Sequence, residues 1–239
     1  MVERWCVVLA GGLGTRLREL TQGLVPKVLA PVNGEPFLTH KLRSLAEMQI
    51  THVVLLVGEL GHLVEDFAKN CRIDGLTISC LADGPVLLGT GGAVARARPL
   101  LPPLFWVTYG DSLMYAELAA AEQRAEALQL DTIATVYRNR NTLQRSNMAV
   151  EGDILVRYSK IESDPRFEWI DLGLLRFNAS AFDGVPADHQ VELSEILAPL
   201  VARQQVLAWP ESRRFWDINT PEALRATEVW LQERTNRQE

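Results

Sequence analysis

The sequence predicts an α/β fold with a mostly parallel central sheet, helices on both faces and a mixed second half. Short apolar runs alternate with segments of helical periodicity through the first half of the chain, which is the pattern of repeated strand–helix units. A glycine-rich segment follows the first apolar run, at the position where parallel sheets bind ligands. The 239 residues, of which 47% are hydrophobic, are enough for one domain with a large buried core.

The predicted strands of the first half are short and apolar: Trp5–Ala10, His52–Val57, Leu76–Leu81 and Leu104–Tyr109. Helical periodicity fills the intervals between them, over Pro36–Ile50, over Leu60–Asn70 and from Gly92 to Arg98, before Pro99. Because each helix connects two strands, we expect the strands to be parallel and buried on both faces.

The elements predicted after residue 111 are more mixed. They are a helix at Tyr115–Gln129, strands at Thr132–Tyr137 and Trp169–Phe177, a hairpin over Met148–Tyr158 and a helix at Val191–Arg203. Near the end, Thr220 and Pro221 have the pattern of an N-cap followed by the first helical residue. The second half therefore adds a mixed region to the parallel sheet within one domain.

The charge and cysteine content exclude several function classes. Lys and Arg number 24 against 30 Asp and Glu, so the net charge is −6 and no global cationic field attracts nucleic acid. Cys6, Cys71 and Cys80 lack the C-x-x-C spacing of zinc or redox sites, and we expect buried thiols in a reducing cytosol. No signal-peptide pattern and no apolar run of roughly 20 residues is present. A soluble, cytoplasmic protein without membrane or nucleic-acid partners is predicted.

Residues 9–27, LAGGLGTRLRELTQGLVPK, carry the main functional signal. Gly11, Gly12 and Gly14 let backbone amides approach an anion without interference from a Cβ atom, so we expect a phosphate there. The segment lacks the Lys-Ser/Thr ending of an ATPase P-loop, and Leu17 stands where a dinucleotide-binding G-x-G-x-x-G needs glycine. Both of those nucleotide-binding classes are therefore disfavoured.

Two permanent cations accompany the glycines. Arg16 follows Gly14-Thr15 and Lys27 follows Pro26, so both side chains can converge on a polyphosphate. With these residues the segment resembles the G-x-G-T-R-L…P-K motif of the sugar-1-phosphate nucleotidylyltransferases. The similarity extends over nearly the whole chain and is greatest to the short heptose-1-phosphate guanylyltransferases. It implies a single Rossmann-like domain of the GT-A type, in which the glycine loop and arginine hold the nucleoside triphosphate and the lysine contacts phosphate at the reacting centre.

Two aspartates match metal-binding positions of the resembled family. Asp111 follows Gly110 at the end of the predicted strand Leu104–Tyr109, on the edge of the sheet that carries the glycine loop. Asp217 lies in a segment similar to the family's aromatic-D-x-G-T-P motif, although Asn219 stands where the family usually has glycine. Asn tolerates the left-handed backbone that glycine would allow. The resemblance thus implies Mg²⁺ bound by both carboxylates, where it neutralises phosphate charge.

Residues 83–92, DGPVLLGTGG, resemble the family's P-L-G-T-x-G-A segment, which lines the nucleobase pocket. A carboxylate such as Asp83 accepts two hydrogen bonds well from the N1–H and amino group of guanine but poorly from thymine or uracil, which favours GTP. The alternative for Asp83 is a structural role in an Asp-Gly-Pro turn. Together with the phosphate loop, the resemblance implies a nucleotide site formed by Leu9, Ala10, Gly11, Gly12, Gly14, Thr15, Arg16, Asp83, Gly89 and Thr90.

The resembled family binds its sugar phosphate in the mixed second half. Besides Lys27, four residues fall at its sugar and phosphate contacts: Asn147, Lys160, Asp171 and Gly173. Short polar side chains in apolar strands suit sugar hydroxyls, although Asn147 and Asp171 could equally satisfy the backbone. On this interpretation the single domain spans residues 1–239, in which 1–112 bind nucleotide, 113–210 bind sugar, and 211–239 supply Asp217 and a C-terminal helix.

These observations predict an enzyme in which a sugar-1-phosphate oxygen attacks the α-phosphorus of a nucleoside triphosphate in line and pyrophosphate is released. The expected catalytic residues are Arg16, Lys27 and Asp111, which act by position and charge. Two alternatives stay open. One is transfer to a non-sugar phosphate such as phosphocholine, for which Trp169 could form one wall of an aromatic cage. The other is a nucleotide-binding module without turnover. A homodimer also stays open.

Overall fold

The computed structural model of the chain describes residues 2–12, 24–84, 87–186 and 189–236. Within these ranges the strands are β1 (Trp5–Leu9), β2 (Pro31–Val32), β3 (Glu35–Pro36), β4 (His52–Val57), β5 (Thr77–Ala82), β6 (Leu104–Tyr109), β7 (Ser112–Leu113), β8 (Thr132–Arg138), β9 (Met148–Glu151), β10 (Ile154–Tyr158), β11 (Trp169–Asn178), β12 (Val206–Glu211) and β13 (Trp216–Asp217). The α-helices are α1 (Phe37–Glu47), α2 (Gly61–Asn70), α3 (Gly89–Ala97), α4 (Leu118–Ala127), α5 (Leu193–Ala202) and α6 (Pro221–Thr235). Short 3₁₀ turns occur at Lys27–Leu29, Arg98–Leu100 and Ala179–Phe182.

One nine-stranded sheet has the order β5-β4-β1-β6-β11-β8-β12-β10-β9. Strands β5, β4, β1 and β6 are parallel to one another, as the alternation of strands and helices predicts. Strand β11 is antiparallel to both β6 and β8, β12 is parallel to β8, and the hairpin β9–β10 closes the far edge. The predicted α/β class, with a parallel first half and a mixed second half, is confirmed.

Most predicted elements coincide with observed ones to within a few residues. His52–Val57 and Leu104–Tyr109 agree at both ends, and the hairpin turns at Gly152 as its sequence indicates. Strand β12 has no counterpart among the predictions. It contains Pro210, paired with Val136 of β8, and proline in a strand interior weakens the sequence pattern by which a strand is recognised.

Hydrophobic layers cover both faces of the sheet. Alternate residues of β1 point to opposite layers, with Cys6 and Val8 on one side and Val7 on the other. The first layer packs against α1, α2 and α4, and the second packs against α3 and α5. The helical stripe predicted for α1 is fully buried: Leu38, Leu42 and Leu45. Burial of each such side chain contributes about 1.5–3 kcal/mol, which fixes the helices against the sheet.

The carboxyl ends of the four parallel strands meet at one edge of the sheet. Backbone hydrogen bonds continue beyond the strand ends, from Asp83 N–H to Val57 O (2.8 Å) and from Gly110 N–H to Leu9 O (2.9 Å). These bonds hold the segments that follow β1, β4, β5 and β6 side by side. Gly11, Gly12 and Asp111 therefore lie on the same edge, as predicted.

Helix α6 begins as its capping pattern predicts. The Thr220 hydroxyl accepts a hydrogen bond from the Ala223 N–H (3.2 Å), and Pro221 occupies the first helical position. Its apolar side packs with β2, β7 and β13 in a separate small cluster. No helix within the described ranges combines the length and the apolar character needed to cross a bilayer.

Candidate active site

A cleft of about 310 Å³ opens at the carboxyl edge of the parallel strands. Residues predicted for the nucleotide and for catalysis line it: Leu9, Ala10, Gly11, Gly12, Lys27, Asp83, Gly89, Thr90 and Asp111. Three further predicted residues, Gly14, Thr15 and Arg16, lie outside the described residues. The fold thus brings together, from four separate segments, the described residues predicted for the nucleotide site.

The Lys27 ammonium is the centre of the polar contacts in this cleft. Its Nζ donates hydrogen bonds to Asp111 Oδ2 (2.7 Å) and to Asn219 Oδ1 (2.5 Å), residues 84 and 192 positions away in sequence. The side chains of Lys27 and Asp111 are 11% and 30% exposed, so the ion pair is partly shielded and still open to a ligand. Charge-assisted bonds of this kind are about twice as strong as neutral ones.

Asn219 contributes an acceptor that the sequence analysis did not identify. The φ angle of Asn219 is not positive, so the turn does not use the left-handed conformation that asparagine tolerates. Its amide oxygen accepts from Lys27 instead. The sequence did contain a signal for this contact. Asparagine stands two residues after Asp217, where the resembled family usually has glycine, and its amide oxygen can accept a hydrogen bond that glycine cannot.

The small sheet of β7 and β13 brings the second aspartate to the site. Asp217 pairs with Ser112, and the Ile218 N–H donates to the carbonyl oxygen of Asp111 (3.1 Å). The Asp217 carboxylate accepts from the Asn219 N–H (2.8 Å), which fixes the turn before α6. Asp217 lies on β13 and Asp111 directly precedes β7, so the two predicted metal ligands are neighbours on paired segments, and oxygen donors of this kind suit Mg²⁺.

Gly11 and Asp83 pack closely where the phosphate loop meets the predicted base pocket. A Cβ atom on Gly11 would lie 2.7 Å from Asp83 Oδ2 and 3.1 Å from Gly58 N. Asp83 is held by its own N–H to Val57 O and by Arg96, which donates to the Asp83 carbonyl oxygen (2.6 Å). Burial raises the pKa of the Asp83 carboxyl, and the nearby Arg96 charge opposes that rise. Glycine at position 11 is thus a packing requirement.

The opposite wall is formed by the start of α3 and the segment before α5. Gly89 has φ +69°, and a Cβ there would meet Val191 O at 2.6 Å, so only glycine fits without strain. The Thr90 hydroxyl donates to Glu192 Oε2 (2.7 Å) and accepts from the Leu193 N–H (2.8 Å). These contacts explain why α3 begins at Gly89, three residues before the predicted start.

Gln190 and Glu192 also line the cleft, and the sequence analysis missed both. Glu192 is the N-cap of α5 and forms a capping box with Glu195. The spacing of these two glutamates was the available signal. The sequence analysis missed it because a helix that begins at Val191 has Glu192 inside it instead of at its N-cap.

The four sugar-side residues predicted in the second half lie on β9–β11 or directly beside these strands. None of the four is among the described residues that line the cleft. Asp171 Oδ1 accepts from the Gly173 N–H (2.7 Å), and Gly173, with φ +77°, lies against the Tyr109 ring that borders the cleft. The Asn147 backbone bonds to Trp169 and Ser159, and its buried Oδ1 has no hydrogen-bond partner among the described residues.

Burial dominates the ionisation of the sugar-side carboxyl. It raises the pKa of Asp171 from 3.8 to about 6, whereas the Gly173 N–H and the Lys160 charge oppose that rise. Burial also raises the pKa of Tyr158, with the Asp171 charge adding to the effect. Lys160 itself is exposed. A half-buried carboxyl, a phenol and an exposed ammonium therefore lie together on this side.

Comparison with known proteins identifies the family. The profile described as nucleotidyl transferase matches residues 5–228. The chain belongs to the nucleotidyl transferase family. Mannose-1-phosphate guanylyltransferase of Mycobacterium tuberculosis is 29% identical over 222 residues, which are 90% of this chain and 61% of that protein. D-glycero-alpha-D-manno-heptose 1-phosphate guanylyltransferase of Aneurinibacillus thermoaerophilus is 32% identical over 126 residues, 52% of this chain and 54% of that protein. This nucleotidyl transferase chain thus spans less than two thirds of either relative.

Solved structures share the nucleotidyl transferase fold. HddC from Yersinia pseudotuberculosis, complexed with GMP-PN, has a TM-score of 0.77 at 21% identity, covering 95% of this chain and 99% of that one. The inositol-1-phosphate CTP transferase from T. maritima has a TM-score of 0.73 at 20% identity, covering 93% and 92%. The predicted nucleotidyltransferase architecture is confirmed.

Substitution of Gly11 tests the packing at the junction of loop and base pocket. Gly11→Ala should lower the free energy of unfolding by about 1–3 kcal/mol, because the added methyl must displace Asp83 or the Gly58 backbone. Gly12→Ala is the matched control, since no heavy atom of the described residues lies within 4 Å of its Cβ position. Urea unfolding without nucleotide measures both. Equal stability of the two variants would contradict the close packing.

The ionisation of Asp171 predicts a pH dependence of stability. Its pKa in the folded chain is about 6, against 3.8 for an ordinary aspartate, so the folded state binds more protons between these values. The carboxyl's stabilising contribution is full below pH 3.8 and is lost as the pH rises through about 6. Asp171→Asn should remove this loss, on the order of 3 kcal/mol, from the unfolding free energy. Urea unfolding at several pH values gives the free energy of unfolding of both proteins. If that free energy changes with pH equally in parent and variant between pH 3.8 and about 6, the prediction is contradicted.

Proposed function

We propose that this chain transfers a nucleotidyl group from a nucleoside triphosphate to a sugar-1-phosphate, giving a nucleoside-diphosphate sugar and pyrophosphate. The observation that carries the proposal is the Lys27 ammonium held between Asp111 and Asn219 in the cleft that contains the glycine segment. Membership of the nucleotidyl transferase family and relatives named as mannose- and heptose-1-phosphate guanylyltransferases support it.

In the proposed reaction an oxygen of the sugar phosphate attacks the α-phosphorus in line. A new oxygen–phosphorus bond forms while the bond to the β-phosphate breaks, and the electron pair leaves with pyrophosphate. In this proposal Lys27 offsets charge at the α-phosphate, and the backbone amides of the glycine segment and Arg16 have the role of holding the β- and γ-phosphates. The chain supplies position and charge, and no covalent intermediate is required.

Asp111 and Asp217 would hold a Mg²⁺ ion in this reaction. Their adjacent backbones and carboxylate oxygens fit a hard divalent cation, which commonly takes one or two protein carboxylates and completes its shell with phosphate and water. Within the described ranges no cluster of three or more His, Cys, Asp or Glu side chains has metal-binding geometry. When bound, the ion would neutralise phosphate charge.

The proposed nucleotide is GTP. Asp83 lines the cleft beside Gly11, and its carboxylate can accept from both the N1–H and the amino group of guanine. The names of the two guanylyltransferase relatives support this choice. Transfer to a non-sugar phosphate is the second candidate, because a relative from Rubrobacter xylanophilus is named a bifunctional IPC transferase and DIPP synthase. The Arg138 guanidinium lies over the Trp169 ring, 5.7 Å from its centroid, which disfavours an aromatic cage for choline there.

A substrate matrix tests the proposal. The four common nucleoside triphosphates are combined with mannose-, glucose-, heptose- and inositol-1-phosphate and with phosphocholine, with Mg²⁺, and pyrophosphate release and product mass are recorded. We expect a nucleoside-diphosphate sugar from GTP. Turnover of only a non-sugar acceptor would establish the second candidate, and binding of nucleotide without turnover would identify a non-catalytic module. Light scattering of the same sample tests the homodimer that the sequence analysis leaves open.

The catalytic roles of Lys27 and Asp111 predict large kinetic losses. Lys27→Met and Asp111→Asn should each lower kcat at least about a hundredfold, because each removes charge stabilisation at the transferring phosphate. Lys69→Met is the matched control: Lys69 is exposed on α2 and pairs with Asp66. Circular dichroism confirms that the variants fold. Near-parental turnover of either site variant would overturn its role.

The base assignment predicts a change in nucleotide preference. Asp83→Asn should lower kcat/KM for GTP about 10–100-fold and leave that for UTP within a few-fold, because guanine loses its two-point acceptor. Steady-state pyrophosphate release with each nucleotide measures this. A uniform loss for all nucleotides would assign Asp83 to the turn alone.

A further inference from the structure

A lysine lies in the core beneath the segment that carries Asp111. Lys41, on α1, has 0% exposed surface, and its Nζ donates to the Thr108 hydroxyl (2.9 Å) and to the Ser112 carbonyl oxygen (2.8 Å). Both acceptors are neutral oxygens. An ammonium without a contacting carboxylate is costly to bury, so a well-packed apolar residue would ordinarily be preferred here.

The two acceptors stand on either side of Asp111 in the sequence. Thr108 is near the end of β6 and Ser112 begins β7, so one ammonium group bridges both ends of the bend at residues 109–111. The Gly110 N–H ties the middle of the bend to the last carbonyl of β1 (2.9 Å). The backbone of Asp111 is therefore fixed from below as well as from its neighbouring strand.

Ionisable groups on two neighbouring elements act on the buried amine. Burial lowers the pKa of Lys41 to about 8, and Cys6 and Asp111 oppose that fall. Burial raises the pKa of the Cys6 thiol to about 12, so the thiol is neutral near pH 7. The Lys41 Nζ donates both of its hydrogen bonds to neutral oxygens, and Asp111 is the nearby carboxylate that favours its charged form. Asp111 thus has one ammonium in contact, that of Lys27, and a second behind its own backbone.

We propose that Lys41 is a positioning residue for nucleotidyl transfer. It fixes the bend at residues 109–111 from both ends, so that the Asp111 carboxylate keeps its place beside Lys27. The ammonium acts through the backbone of the bend and touches no substrate. Its kinetic part rests on the proposed function, whereas its effect on the bend is a property of the fold. Because displacement of a reacting group by about 1 Å can cost a hundredfold in rate, loss of the bridge should lower kcat rather than substrate affinity.

Three variants separate positioning from simple core packing. Lys41→Met keeps the length and removes the ammonium, and Thr108→Val removes one acceptor at constant shape. Ser44→Ala is the matched control, because Ser44 is a buried polar residue one turn further along α1 whose hydroxyl bonds only within the helix (2.7 Å to Lys41 O). Each is compared with the full-length parent by steady-state kinetics and by hydrogen–deuterium exchange of the segment 106–114.

We expect Lys41→Met to lower kcat about 10–100-fold with both KM values within threefold of the parent, and to speed amide exchange in the bend. Thr108→Val should lower kcat by a smaller factor. The double variant should be no slower than Lys41→Met, because both changes break one bridge. Ser44→Ala should match the parent.

Parental kcat or unchanged exchange in Lys41→Met would overturn the proposal, as would multiplicative losses in the double variant. If Lys41→Met does not fold, Thr108→Val decides by the same two readouts. If the parent turns over no substrate pair, the proposed function fails, and amide exchange in the bend alone decides the role of Lys41.

Discussion

The ammonium of Lys27 joins three parts of the chain that are remote in sequence, and the geometry of the cleft depends on that junction. Its two acceptors are presented by the end of β6 and by the turn before α6, so both segments must be in place before the lysine is satisfied. The pair is partly exposed, which limits the desolvation cost that a fully buried ion pair would carry. Because the chain has a net charge of −6, binding of an anionic ligand in the cleft requires a local cation such as the Lys27 ammonium.

Around this junction the cleft is built from close backbone contacts more than from long side chains. Gly11 lies against Gly58 and Asp83, and Gly89 lies against the segment before α5. These glycines allow two walls to approach each other at the edge of the sheet, and Thr90 and Glu192 hold one of the walls through their side chains. The described walls of the cleft are therefore closely packed.

The sequence predicted the parallel half of the sheet well, because buried strands and amphipathic helices have strong periodic patterns. It also predicted Lys27 and Asp111 in one site, where the resemblance to the nucleotidylyltransferase motifs supplied Lys27 and the position after a strand supplied Asp111, and the two side chains are in contact. It did not predict Asn219, Gln190 or Glu192 as part of the cleft. Those residues reach it through turns whose conformation depends on tertiary contacts, and a single sequence holds no direct signal for such contacts.

Lys41 was missed for a different reason. Its position places it on the buried side of α1 with Leu38, Leu42 and Leu45, but a lysine on an apolar stripe is ordinarily counted as an exposed residue at the stripe's border. Only the positions of the Thr108 hydroxyl and the Ser112 carbonyl oxygen distinguish Lys41 from such an exposed lysine, because they give its buried Nζ two hydrogen-bond acceptors. Polar residues inside a helix's apolar face are thus informative only when the opposing backbone is known.

The pairing of β13 with β7 has a consequence for synthesis of the chain. A ribosome that has completed every strand of the nine-stranded sheet has still not added Asp217 or Asn219. The nascent sheet can fold around Asp111 while Lys27 lacks its second acceptor, and docking of the last segment then finishes the cleft as a late step. A chain that stops before residue 216 would consequently lack the pairing of β13 with β7 and the second acceptor of Lys27.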